Sequence, residues 1–175
     1  VSGEKSNAIA IEDRSGTLQT INNSGKIGGY ITQTDDADDK DDADTDASNE
    51  GVTGKAIAMD LRSATAGVTI RQTGVADGDD GKDGIDDGDT DGDGVDDADE
   101  PSIRGDILLS AHNDVVDIQN GVVAGSINFG GGQDTLSISG GALVSGQITD
   151  PGGSLAINLG KGTLSVTNPE PLQLS

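Results

Sequence analysis

The sequence predicts an all-β protein: a parallel β-helix (β-solenoid) of about 20 residues per coil, with two acidic loop inserts. Three observations predict it. A hydrophobic-x-Gly-x-Ile motif occurs four times with its glycine in the middle: Ile27-Gly28-Gly29-Tyr30-Ile31, Ile103-Arg104-Gly105-Asp106-Ile107, Val123-Ala124-Gly125-Ser126-Ile127 and Val144-Ser145-Gly146-Gln147-Ile148. The last three glycines are 20 and 21 residues apart, the length of a unit that must stack on its neighbours to bury its apolar face. Within each unit apolar residues alternate with small polar ones, the period of a half-buried strand. Finally, the 175 residues include one Phe, one Tyr, no Trp, one Met and 28 Gly. Without the aromatics that usually supply core area, the interior has to be assembled in thin layers from Ile, Val, Leu and Ala.

The elements follow in order. Residues 1–34 read as N-terminal β-helix coils, 35–50 as an acidic loop insert, 51–75 as a further coil, 76–101 as a calcium-binding acidic insert and 102–175 as C-terminal coils. Ala8-Ile9-Ala10-Ile11 matches Ala56-Ile57-Ala58-Met59 48 residues later, and Ile21 and Gly25 match Ile70 and Gly74 49 residues later. A spacing near 48 exceeds one coil of this size and reads as two coils plus an insert. In the C-terminal part, Asp114 and Asp134, Val116 and Leu136, and Ile118 and Ile138 are each 20 apart. A third unit runs from Val144 to Leu159, and Leu164-Ser165-Val166 forms a last alternating run. Glycines mark the corners. About 130 scaffold residues at this length make about six coils, and no long helix is expected.

The net charge is −22, with a composition that could signal disorder. Its distribution argues otherwise. Residues 35–50 hold nine acids and one Lys, and residues 77–100 hold thirteen acids and one Lys, so these windows carry −20 of the total. What remains is a nearly neutral scaffold. An acidic chain repels nucleic acid and anionic membrane surfaces, so neither is an expected partner. The absence of cysteine excludes disulfides and thiolate chemistry. The opening VSGEKSNAIA lacks a basic segment followed by an apolar run, so export would rely on a segment outside this sequence. No apolar run is long enough to span a membrane.

The second insert carries the clearest chemistry. Asp89-Thr90-Asp91-Gly92-Asp93-Gly94-Val95-Asp96-Asp97-Ala98-Asp99-Glu100 fits the calcium-loop pattern D-x-D-x-D-G-x5-E throughout. Calcium takes six to eight oxygens at roughly 2.3–2.6 Å. Asp89, Asp91 and Asp93 supply alternate carboxylates, and Gly94 makes the sharp turn. The Val95 carbonyl adds a ligand, Asp97 acts directly or through water, and Glu100 closes the site. Upstream, Asp79, Asp83 and Asp87 form a second, poorer site, because Gly81 stands where an Asp is wanted. The competing reading is a solvated acidic loop without metal.

This run resembles thrombospondin type 3 and related bacterial D-x-D-G-x-x-D calcium repeats. More broadly, the segments GKAIAMDLRSATAGVTIRQTG, DGDTDGDGVDDADEPSIRGDILL, NGVVAGSINFGGGQDTLSISGGALVSGQI and GTLSVTN resemble autotransporter passenger domains of Gram-negative bacteria, alphaproteobacterial in type. That resemblance implies a right-handed parallel β-helix displayed at the cell surface or secreted, carried by an outer-membrane barrel of which this sequence contains no part.

Other motifs read as scaffold. Arg104-Gly105-Asp106 spells an integrin-type triplet, but Gly105 is also the middle glycine of the repeat. Gly130-Gly131-Gly132-Gln133-Asp134-Thr135-Leu136 nearly matches a nine-residue calcium-roll unit, yet the period here is 20. His112, the single histidine, sits at a corner beside Asn113 and Asp114. There is no nucleophile elbow and no Cys–His pair. The expectation is a non-enzymatic extracellular surface protein, structural or adhesive, with calcium as its cofactor and no catalytic residues. Its expected partners are calcium, other copies of itself in fibres, and host or neighbouring cell surfaces. The alternative is a carbohydrate-active β-helix enzyme, a polysaccharide lyase or hydrolase. It is weakened by the lack of aromatic platforms for sugar rings.

Overall fold

The computed structural model describes residues 6–31, 54–75, 88–90, 94–152 and 154–168. Within them the chain is all-β, without helix, and its strands fall into three parallel sheets of five strands. The first sheet contains β1 (Ala8–Glu12), β4 (Ala56–Asp60), β7 (Asp106–Leu108), β10 (Ile127–Asn128) and β13 (Ile148–Thr149) in that order. The second contains β2 (Thr20–Asn23), β5 (Thr69–Gln72), β8 (Val115–Ile118), β11 (Asp134–Ile138) and β14 (Leu155–Leu159). The third contains β3 (Lys26–Gly28), β6 (Ser102–Arg104), β9 (Val122–Ala124), β12 (Leu143–Gly146) and β15 (Thr163–Val166). Each successive triplet of strands visits all three sheets, a β-helix-like repeat.

Register follows the apolar pattern. Met59, Ile107, Ile127 and Ile148 form one inward column, and Ile70, Val116, Leu136 and Ile157 a second. Ile103, Val123, Val144 and Leu164 form the third. In β8 and β11 every second residue is buried, as alternation along a strand demands. The three columns meet in one core. Burying each such side chain is worth about 1.5–3 kcal/mol, which offsets the small size of each layer.

Three details differ from the sequence reading. Ala8 pairs directly with Ala56 and Ile21 with Ile70, so the spacing near 48 is one repeat plus an insert, not two. Sequence spacing alone cannot separate a second repeat from a long insert; the ladder does. The strands make five triplets rather than six among the described residues, because corners and insert flanks use up scaffold length. The core is also not purely aliphatic. Phe129 and Met59 are fully buried, whereas Tyr30 is exposed.

The glycine motif has a steric cause at the corner between the third and first sheets. A Cβ on Gly125 would lie 2.2 Å from the Gly105 carbonyl oxygen, and one on Gly146 2.2 Å from that of Gly125. Their φ values of 152° and 138° also disfavour side chains. The backbone of one repeat therefore rests on the next. Arg104-Gly105-Asp106 lies at this corner, with an Asp106 carboxylate oxygen accepting the Ser126 N–H at 3.0 Å.

The first insert separates two triplets and the second falls within one. The first lies between β3 and β4 and the second between β5 and β6. The acidic insert at 35–50 lies outside the described residues.

Candidate metal centre

The described part of the second insert is 88–90 together with 94–101. Asp89 and Gly94, the first and sixth positions of the calcium pattern, are joined by a hydrogen bond. The Gly94 N–H donates to Asp89 Oδ2 at 2.8 Å, and Gly94 has a φ of 89°, which glycine supplies at little cost. Asp97, at the ninth position, accepts the Thr90 N–H at 3.1 Å through Oδ1, and the Thr90 hydroxyl donates to its Oδ2. The Asp97 N–H donates to the Gly88 carbonyl at 3.2 Å. The loop then ends in a turn in which the Asp99 and Glu100 N–H groups donate to the Asp96 carbonyl at 2.8 and 3.0 Å.

The sequence-predicted ligands divide accordingly. Asp89, Val95, Asp97 and Glu100 are described and lie on this closed segment. Asp91, Asp93, Asp79, Asp83 and Asp87 lie outside the described residues. Among the described residues no three potential ligand side chains converge as a metal group. In the calcium pattern the oxygen set for a hard cation would also include Asp91 and Asp93.

Two contacts tie this segment to the scaffold, and the sequence did not reveal either as an anchor. Val95 is buried, and a Cβ on Gly74 would come within 2.6 Å of both Val95 Cγ2 and Asn120 Nδ2. The absence of a side chain at Gly74 thus leaves room for Val95 to seat. Lys26, in β3 of the first triplet, donates from Nζ to the Ala98 carbonyl at 2.8 Å. The one available signal was Val95 itself, which with Ile85 is one of two branched aliphatic residues in the second insert. Its side chain is an anchor.

An open cleft of about 260 Å³, lined by Glu12, Asp13, Asp60, Arg62 and Ser63, also brings carboxylates together. Each carboxylate there is engaged. Arg62 clasps Asp60, with Nη2 at 2.6 Å and Nε at 2.8 Å, and this contact holds the Asp60 carboxyl below its ordinary range. Asp13 accepts the Ser15 hydroxyl and the N–H groups of Leu18, Ser15 and Gly16, which lower its pKa in the same sense. Glu12 pairs with Arg14 at 2.8 Å. His112 is exposed, and its N–H donates to Ser110 Oγ at 3.1 Å.

No family model, curated protein or solved structure matches this chain.

Proposed function

We propose that the protein is a non-enzymatic extracellular scaffold: a parallel β-helix of about 20 residues per coil, stiffened by calcium in the insert at 76–101. The supporting observation is the docked tail of that insert. The segment is closed from Asp89 to Gly94 and seated on the scaffold through Val95 and Lys26. A cation drawn to this loop would act on a segment that already grips the first two strand triplets. The role is structural or adhesive, on the surface of a Gram-negative cell or in its surroundings, as the resemblance to passenger domains implies. Engagement of each carboxylate in the Glu12–Asp13–Asp60 cleft by its own hydrogen-bond or ion-pair partner supports the scaffold reading over a polysaccharide lyase or hydrolase.

Titrating calcium into the chain while following limited proteolysis tests the metal. Half-maximal protection of residues 76–101 is expected at roughly 10⁻⁴–10⁻³ M, the range of extracellular modules. Cleavage there that is unchanged at millimolar calcium would remove the metal from the account. Release of reducing ends or unsaturated products from acidic or neutral polysaccharides would favour the enzyme.

A further inference from the structure

Asp114 and Asp134 form a stacked pair of carboxylates inside the molecule. They precede β8 and open β11, and Val115 pairs with Thr135. This register puts the two residues one above the other at the strand spacing of about 4.8 Å. Both are enclosed, Asp114 completely and Asp134 with 2% of its surface exposed. Buried carboxylates normally have a cation or a full set of donors. Among the described residues no Lys or Arg pairs with either one.

Their hydrogen bonding is unequal. Asp114 accepts the Val68 N–H at 2.7 Å on Oδ1, the Ser110 N–H at 3.0 Å on Oδ2, and the Ser110 hydroxyl, which lies 3.0 Å from both oxygens. This donor set suits an anion. Asp134 accepts the Asp114 N–H at 2.8 Å on Oδ1, while its Oδ2 is buried without a hydrogen-bond partner. A bare anionic oxygen in that position is costly, and a protonated one much less so. The titratable groups nearby are His112 beside Asp114 and Asp150 beyond Asp134; Arg62 of the preceding corner is tied to Asp60.

We propose that Asp134 Oδ2 is a proton-binding site, so that the Asp114–Asp134 pair carries one proton and one negative charge in the folded state. The proton is held in a range where exposed carboxylates are ionised. Burial is the largest influence on both groups and pushes both upward; the neighbouring negative charges of Asp114 and Asp150 push Asp134 further in that direction. The sign follows. Because the folded state holds this proton more tightly than the unfolded chain, its stabilising effect is complete below the ordinary carboxylate range. The effect is lost as pH rises through the folded value. Asp13 and Asp60 have lowered values and act oppositely, losing their contribution on acidification below the ordinary range, so the two effects occupy different pH windows. The corner joining the third and fourth triplets is thereby tightened in mildly acidic surroundings.

The test is urea unfolding of the full chain in calcium-free buffer between about pH 4 and 8, for wild type, Asp134→Asn and the exposed-site control Asp99→Asn. Wild type and Asp99→Asn are expected to bind more protons in the folded than in the unfolded state above the ordinary carboxylate range. Asp134→Asn, which mimics the neutral acid, should lose this uptake and stay folded at the upper end. An Asp134→Asn profile parallel to wild type would overturn the proposal. Carboxyl ¹³C titration of the wild type decides independently of whether the variant folds: the Asp134 carbon should titrate above about 4, and titration at or below the ordinary aspartate value near 3.9 would contradict it.

Discussion

At the scale of single residues, position in the repeat decides what each residue contributes. Gly146 and Gly131 are both corner glycines, but only one is constrained. A Cβ at Gly146 would strike the Gly125 carbonyl, whereas one at Gly131 would meet nothing within 4 Å. Gly146→Ala is therefore expected to lower unfolding stability by about 1–3 kcal/mol, and Gly131→Ala to be nearly neutral. Equal midpoints in urea for the two variants would show that the glycine column is not a steric requirement. The same dependence on position governs the aspartates. Those 20 residues apart at 114 and 134 are visible in the sequence as a repeat position, but their burial is not, because Asp is usually a surface residue. Only the ladder shows that they face inward.

At the scale of elements, strands were far more legible than the segments between them. The glycine-centred motif and the period-2 alternation located the strands of the last three triplets, because repeated stacking forces the same residue type into each column. The insert boundaries were harder. The N-terminal spacing admitted two decompositions, and only pairing of β1 with β4 separates them. In the calcium-type insert the acidic pattern was legible, whereas its attachment was not. Lys26 is distant in sequence from Ala98, and nothing in the composition near either residue marks the contact. Val95→Ala tests that attachment. The substitution should cost about 1–2 kcal/mol of local stability from lost apolar burial. Its readout is faster amide exchange at Asp97, Asp99 and Glu100, with the exchange of β8 and β11 unchanged. No change at those three amides would mean that the tail is held by its turn alone.

At the scale of the whole molecule, the design is a neutral stack with its charge set apart in inserts. Repeat stacks gain stability from nearest-neighbour interfaces, and the three apolar columns run through all the middle triplets. At the corner between the first and second sheets, Leu61, Leu109 and Phe129 occupy one further column, aligned through the ladder N–H bonds to Leu108, Asn128 and Thr149. In the first and last triplets the equivalent residues are Asp13 and Asp150, each accepting N–H groups of its own turn. End-to-end stacking of two copies would extend the apolar columns but set Asp150 against Asp13. Like charges at strand spacing oppose that contact. Half-exposed Leu159 and Val166 at the last triplet favour it, so fibre formation would depend on screening these carboxylates with salt or a cation.

The central claim, a calcium-stiffened insert on a stacked scaffold, is tested most directly by hydrogen–deuterium exchange of the full chain with and without calcium. The account predicts slow exchange across strands β7 to β14 in both conditions and a calcium-dependent slowing confined to residues 76–101 and their contacts at Lys26 and Gly74. Exchange in β7 to β14 as fast as in an unfolded chain would contradict the scaffold, and identical exchange of 76–101 with and without millimolar calcium would contradict the metal.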